Sequence, residues 1–89
     1  MSKPPFALVA EQAPTENDLT DYDLKHFTTY LRLLDAHAEG TDWADAARTV
    51  LRLDPFAEPE RARRAWETHL ARARWLTERG YRTLLKGRT

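Results

Sequence analysis

The sequence predicts an all-α domain of three to four helices, helix-turn-helix-like, with an extended turn between helices 2 and 3. Three observations predict it. Apolar residues recur at steps of three and four along three stretches of the 89-residue chain. Those stretches are bounded by residues that start or stop helices: Thr20, Gly40, Asp42, Pro59 and Gly80. No stretch alternates apolar and polar residues as a half-buried strand does.

The elements follow in order. Residues 1–17 hold Pro4, Pro5 and Pro14 without helical periodicity, which reads as a flexible N-terminal tail ahead of a single domain over 18–89. Phe6, Leu8 and Val9 leave open that the tail docks on the domain or on a partner. Thr20 is a good N-cap, with Asp21 and Asp23 against the positive helix end. The first helix is expected from Asp21 to Ala38, with an apolar stripe of Leu24, Phe27, Leu31, Leu34 and Ala38 widened by Tyr30 and Leu33. Gly40 stops it. The second helix starts after Thr41 or Asp42, buries Trp43, Ala46, Ala47, Val50 and Leu51, and ends near Arg52 or Leu53, since Asp54 precedes Pro55. A connector spans 53–58. Pro59 then opens the third helix in the turn where proline is best tolerated. That helix runs to Arg79 with Ala62, Trp66, His69, Leu70, Ala73 and Leu76 on one face. Tyr81, Leu84 and Leu85 suggest a short fourth turn.

Composition excludes several functions. With no Cys, disulfides and thiolate metal sites are out, and Ser2 is the only serine. His26 and His37, eleven residues apart, would lie about 16 Å apart along one helix, so no metal site is expected. His69 on an apolar face reads as a satisfied core histidine. Paired carboxylates and glycine-rich phosphate loops are missing, so neither an enzyme nor a cofactor is expected. No apolar run reaches the length of a membrane span, and Phe6–Ala10 is too short for a signal-peptide core, so the expected location is cytoplasmic.

Charge is unevenly spread. Residues 1–60 carry twelve acidic and five basic side chains, and residues 61–89 carry two and nine. Arg61, Arg64, Thr68, Arg72, Trp75 and Arg79 share one face of the third helix. That stripe is open to three readings: a solvated surface, a nucleic-acid contact, or a protein contact. A second stripe, Arg63, Glu67, Arg74 and Glu78, offers two Arg–Glu pairs at i,i+4. Trp75 points away from Trp66 and Leu70, either packing under the tail or fourth turn or standing as a partner hot spot. The acidic first two-thirds counts against unaided DNA binding, because nonspecific affinity is mostly electrostatic.

The segments Tyr30–Ala36 (YLRLLDA), Gly40, Trp43, Asp54-Pro55, Glu58–Ala65 (EPERARRA) and His69–Tyr81 (HLARARWLTERGY) carry a resemblance. Over residues 20–86 the chain resembles a widespread bacterial domain family found near conjugative-transfer genes. The resemblance implies a helix-turn-helix variant with an extended turn. In that family the domain follows an N-terminal companion domain in transcriptional activators of the FseA type, and stands alone in antiactivators of the QseM type. Resemblance to the lone form implies an antiactivator that represses excision and conjugative transfer of an integrative conjugative element. Its expected partners are an FseA-like activator, held through the activator's companion domain, and a LuxR-type quorum-sensing regulator. DNA binding is then expected to be weak and the protein a monomer. Amphipathic residues flanking the core are the expected docking set: Tyr22, His26, Tyr30, Trp75, Tyr81 and Leu84. The alternative is a small helix-turn-helix DNA-binding transcriptional regulator using Arg61, Arg64, Arg72 and Arg79.

Overall fold

The structure, a computed structural model, describes residues 8–80. Among them it is helical without strands, matching the predicted class. Helix α1 spans Asp21–Lys25. It opens on a capping box: Thr20 Oγ1 accepts the Asp23 N–H at 3.1 Å, and Asp23 Oδ2 accepts the Thr20 N–H at 3.0 Å. Helix α2 spans Phe27–Ala38. The single helix expected from Asp21 to Ala38 is therefore interrupted, at His26, whose φ of −106° and ψ of 20° leave helical geometry. The hydrogen-bond ladder bridges the bend, His26 N–H to the Tyr22 carbonyl and Tyr30 N–H to the His26 carbonyl, each at 3.0 Å.

The face that α1 and α2 turn inward is rotated from the predicted stripe, of which Tyr30, Leu33 and Leu34 pack inward as expected. Asp23, His26, Tyr30 and Leu33 are buried, at steps of three, four and three. Leu24, Phe27 and Leu31, expected inside, are 60%, 52% and 44% exposed. The cause is polar: a bidentate pairing of Asp23 with a buried arginine fixes the rotation of these helices, and apolar periodicity carries no sign of it.

α2 ends as predicted. Gly40 takes φ +77°, its N–H bonds the His37 carbonyl at 3.0 Å, and the Thr41 N–H reaches the Ala36 carbonyl at 2.9 Å. This is a Schellman motif, which needs a left-handed residue where glycine stands. Helix α3, Trp43–Ala46, is capped by Asp42 and passes into a π-helical turn at Ala47–Leu51. It stops at left-handed Arg52, φ 62°, where the sequence placed its end. The connector is extended and built: Asp54 Oδ1 accepts the N–H groups of Phe56 at 2.9 Å and Ala57 at 3.1 Å. Helix α4, Pro59–Trp75, follows, with proline in its first turn, and Leu76–Gly80 continues it as a π-helical turn.

Val9, Leu33, Ala46, Leu51, Ala65 and Leu70 form the core, with Leu34, Val50, Leu53 and Trp66 packed on it. Alanines 46, 47, 62, 65 and 73 are at most 1% exposed, which lets α3 and α4 approach closely. Val9 shows that the boundary drawn at residue 17 does not separate tail from domain. Residues 8–18 form a strap along α4. The Ala13 N–H bonds Thr68 Oγ1 at 3.1 Å, and the Ala10 N–H bonds Tyr22 Oη at 2.9 Å. Side chains of α1 and α4 supply these partners for the irregular backbone. Among the described residues, no helix is long and apolar enough to cross a membrane.

Candidate functional site

Two clusters of chemistry-bearing side chains stand out, one buried and one exposed. The buried cluster centres on Asp23, which is 0% exposed, and Arg72, 5% exposed. Arg72 Nε and Nη2 bond Asp23 Oδ1 and Oδ2 at 3.1 and 2.7 Å, a bidentate pair. Tyr30 Oη donates to Asp23 Oδ1 at 2.7 Å, and Thr20 adds its N–H and hydroxyl to Oδ2. The remaining Arg72 donors reach the strap, at the Glu16 and Asp18 carbonyls. Both charges are thus paired and further hydrogen-bonded, as burial demands. Burial by itself would raise the Asp23 carboxyl; the bonds from Arg72, Thr20 and Tyr30 outweigh it and hold the group at about 2. Burial, and then the bond to Asp23, pushes the Tyr30 hydroxyl up.

Beside this pair, His69 is fully buried. Its Nδ1 lies 2.7 Å from the Ala65 carbonyl, which only accepts, so Nδ1 carries the proton. Nε2 therefore accepts from Tyr22 Oη at 2.6 Å, and Tyr22 in turn accepts the strap's Ala10 N–H. His69 is a core histidine, as its apolar face suggested. Burial lowers its pKa, and burial with Lys25 nearby lowers that of His26, whose Nδ1 is buried with no hydrogen-bond partner. The sign follows. Below the ordinary histidine value of about 6.5 the unfolded chain binds protons that the folded one refuses, so acid favours unfolding. Urea unfolding at pH 7.5 and pH 5.5 should show the midpoint falling at the lower pH with an unchanged m-value. An unchanged midpoint would mean that the two rings bind protons equally well in both states.

This burial corrects the docking set. His26 and Tyr30 are each 2% exposed, and Tyr22 is spent on His69 and Ala10. Trp75 is half-buried: the Arg72 guanidinium sits 4.3 Å from its ring centre, and it lines a shallow hollow with Ala13, Pro14 and Asn17 of the strap. Tyr81 and Leu84 lie outside the described residues.

The exposed cluster is at the start of α4. Arg61, Arg63 and Arg64 fall on its first two turns, with side chains 48%, 49% and 55% exposed. Each faces one carboxylate: Glu58 at 3.5 Å, Glu67 at 2.9 Å and, from the strap, Glu11 at 2.8 Å. Exposed pairs of this kind contribute about 0–1 kcal/mol, so a phosphate can replace the carboxylate at little cost. Arg63 is further positioned over two rings, 5.1 Å from the Trp43 centre and 5.5 Å from that of Trp66. Arg48, paired with Asp45 at 2.9 Å, lies on the preceding helical segment.

Of the arginines expected to contact DNA, the structure therefore leaves Arg61 and Arg64 accessible. Arg72 is not: it is committed to Asp23 and the strap. The side chain of Arg79 lies outside the described ones. Sequence reading missed Arg63 as a site residue, assigning it to an ion pair. The available signal was the pair of tryptophans, Trp43 and Trp66, one on each helix that flanks the connector.

Comparison with known proteins adds one family. The family model described as "T6SS, transcription factor, DNA binding domain" (RovC_DNA-bd) matches residues 7–86. No curated protein matches the chain. The family match overturns the expectation that DNA binding is unlikely or weak, and it gives no support to an activator protein as partner. It supports a regulator's DNA-binding domain and lends nothing to the antiactivator, quorum-sensing or conjugative-transfer expectations.

Proposed function

This chain belongs to the RovC DNA-binding domain family, and on that premise we propose that it is a transcription regulator that binds duplex DNA with the first turns of α4. The observation that carries the reading is the cluster of Arg61, Arg63 and Arg64, half-exposed and each paired with an exposed carboxylate. Guanidinium groups suit this role, since each grips a phosphate or the O6/N7 edge of guanine with two parallel hydrogen bonds. The tryptophan rings restrict Arg63 before binding, which reduces the entropy lost on contact. In this reading α4 enters the groove, and Arg48, exposed on the turn after α3, is a further candidate for a backbone phosphate. Zero net charge is no obstacle, because association follows the local field, and Arg61, Arg63 and Arg64 are gathered on the first two turns of one helix.

The test is fluorescence anisotropy with a labelled random-sequence duplex of about 30 base pairs across a salt series. Each phosphate contact steepens the log–log salt slope by about 0.9, so three or four contacts give a slope of about −3. A flat slope, or no binding at low salt, would remove the reading.

A further inference from the structure

The connector presents one feature that arginine–phosphate contact does not use. Phe56 is 86% exposed, more than any other large apolar residue among those described. It is not on a loose loop. The Asp54 carboxylate ties down the N–H groups of both Phe56 and Ala57, Pro55 before it is buried, and the Glu58 N–H closes the turn on the Asp54 carbonyl at 3.0 Å. The two bonds to Asp54 hold its carboxyl below the ordinary range. The next helix begins three residues on, at Pro59; exposed Pro59 and Glu60 open it, and the arginines follow from Arg61.

We propose that Phe56 is a specificity residue, an apolar contact to a thymine methyl group in the major groove beside the arginine-contacted bases. The proposal rests on the reading of α4 as the DNA-binding helix. The chemistry is matched on both sides. The major groove offers one purely apolar feature, the C5-methyl of thymine, and phenylalanine is among the side chains that meet it. A rigid turn at the entry to the helix delivers an apolar group there without losing order on contact, whereas exposing it to water in the free protein brings no return in the fold. Asp54 is a positioning residue, holding the turn that aims the ring.

The experiment begins by selecting bound sequences from a random duplex pool with the full chain. Dissociation constants are then measured for the parent, Phe56→Ala and Phe56→Leu on the selected duplex and on copies in which each thymine in turn is replaced by deoxyuridine. The expected result has three parts. One deoxyuridine position weakens the parent about fivefold, within the range of a single base contact. Phe56→Ala is weakened by a similar factor and ignores that replacement. Phe56→Leu keeps most of the discrimination, and none of the three changes the salt slope. Phe56→Ala binding as the parent does, or staying sensitive to the same deoxyuridine, would overturn the proposal while leaving the arginine reading intact. Failure of the parent to enrich any duplex would overturn the reading beneath it.

Discussion

Asp23→Ala is expected to cost the domain about 3–5 kcal/mol, read as a large fall in its urea unfolding midpoint at 25 °C. A chain of 89 residues has a total stability of about 4–13 kcal/mol, so the loss takes a large part of it. The change leaves the Arg72 guanidinium buried without its anion and removes the acceptor for Tyr30 Oη at 2.7 Å. It also removes half of the capping box that starts α1. Arg72→Met should be almost as damaging, because it strands the Asp23 carboxylate and releases the strap from two carbonyls. A double-mutant cycle measured by urea unfolding should give a coupling well above 1 kcal/mol; additive losses would show that the pair is not the unit of stability. The same pair sets the acid limit. The Asp23 carboxyl is held at about 2, against an ordinary value near 4. Its contribution, about 2 kcal/mol, is complete above pH 4 and is lost as the pH falls towards 2.

The second large effect concerns binding. Replacing Arg61, Arg63 and Arg64 together by Ala should weaken affinity for duplex DNA by two orders of magnitude or more and flatten the salt slope by about 3. The fold should survive, because the three side chains are half-exposed and each gives up one exposed ion pair. Circular dichroism and the urea midpoint check that condition. The strap adds a finer expectation: Glu11→Gln frees Arg64 and should strengthen DNA binding severalfold without disturbing the Ala13 and Arg72 anchors. Retention of full affinity by the triple variant would place the DNA contact elsewhere.

Much of the fold was legible because helix ends are local. Thr20, Gly40, Asp42 and Pro59 act through their own backbone positions, and each does what its residue type implies. The rotation of α1 and α2 was not legible. Hydrophobic periodicity treats Asp23 and Arg72 as surface residues, so it turned Leu24, Phe27 and Leu31 inward in their place. A charge pair separated by 49 residues leaves no short-range trace. The strap escaped for a related reason. Residues 8–18 have no period, and their order depends on Thr68 and Arg72 supplying hydrogen bonds from a distant helix. The same two misreadings shaped the site: Tyr22, His26 and Tyr30 look amphipathic on a helical wheel but serve the buried network, and Arg72 lies at the one described arginine position of its stripe that is buried, bonded to the strap and Asp23.

The most direct test of DNA contact through α4 is an amide chemical-shift titration of the ¹⁵N-labelled chain with a selected duplex. The largest changes should fall on residues 56–67, with Leu24, Phe27 and Leu31 on the outer face of α1 and α2 little affected. Changes concentrated on that outer face, with residues 56–67 silent, would contradict the account.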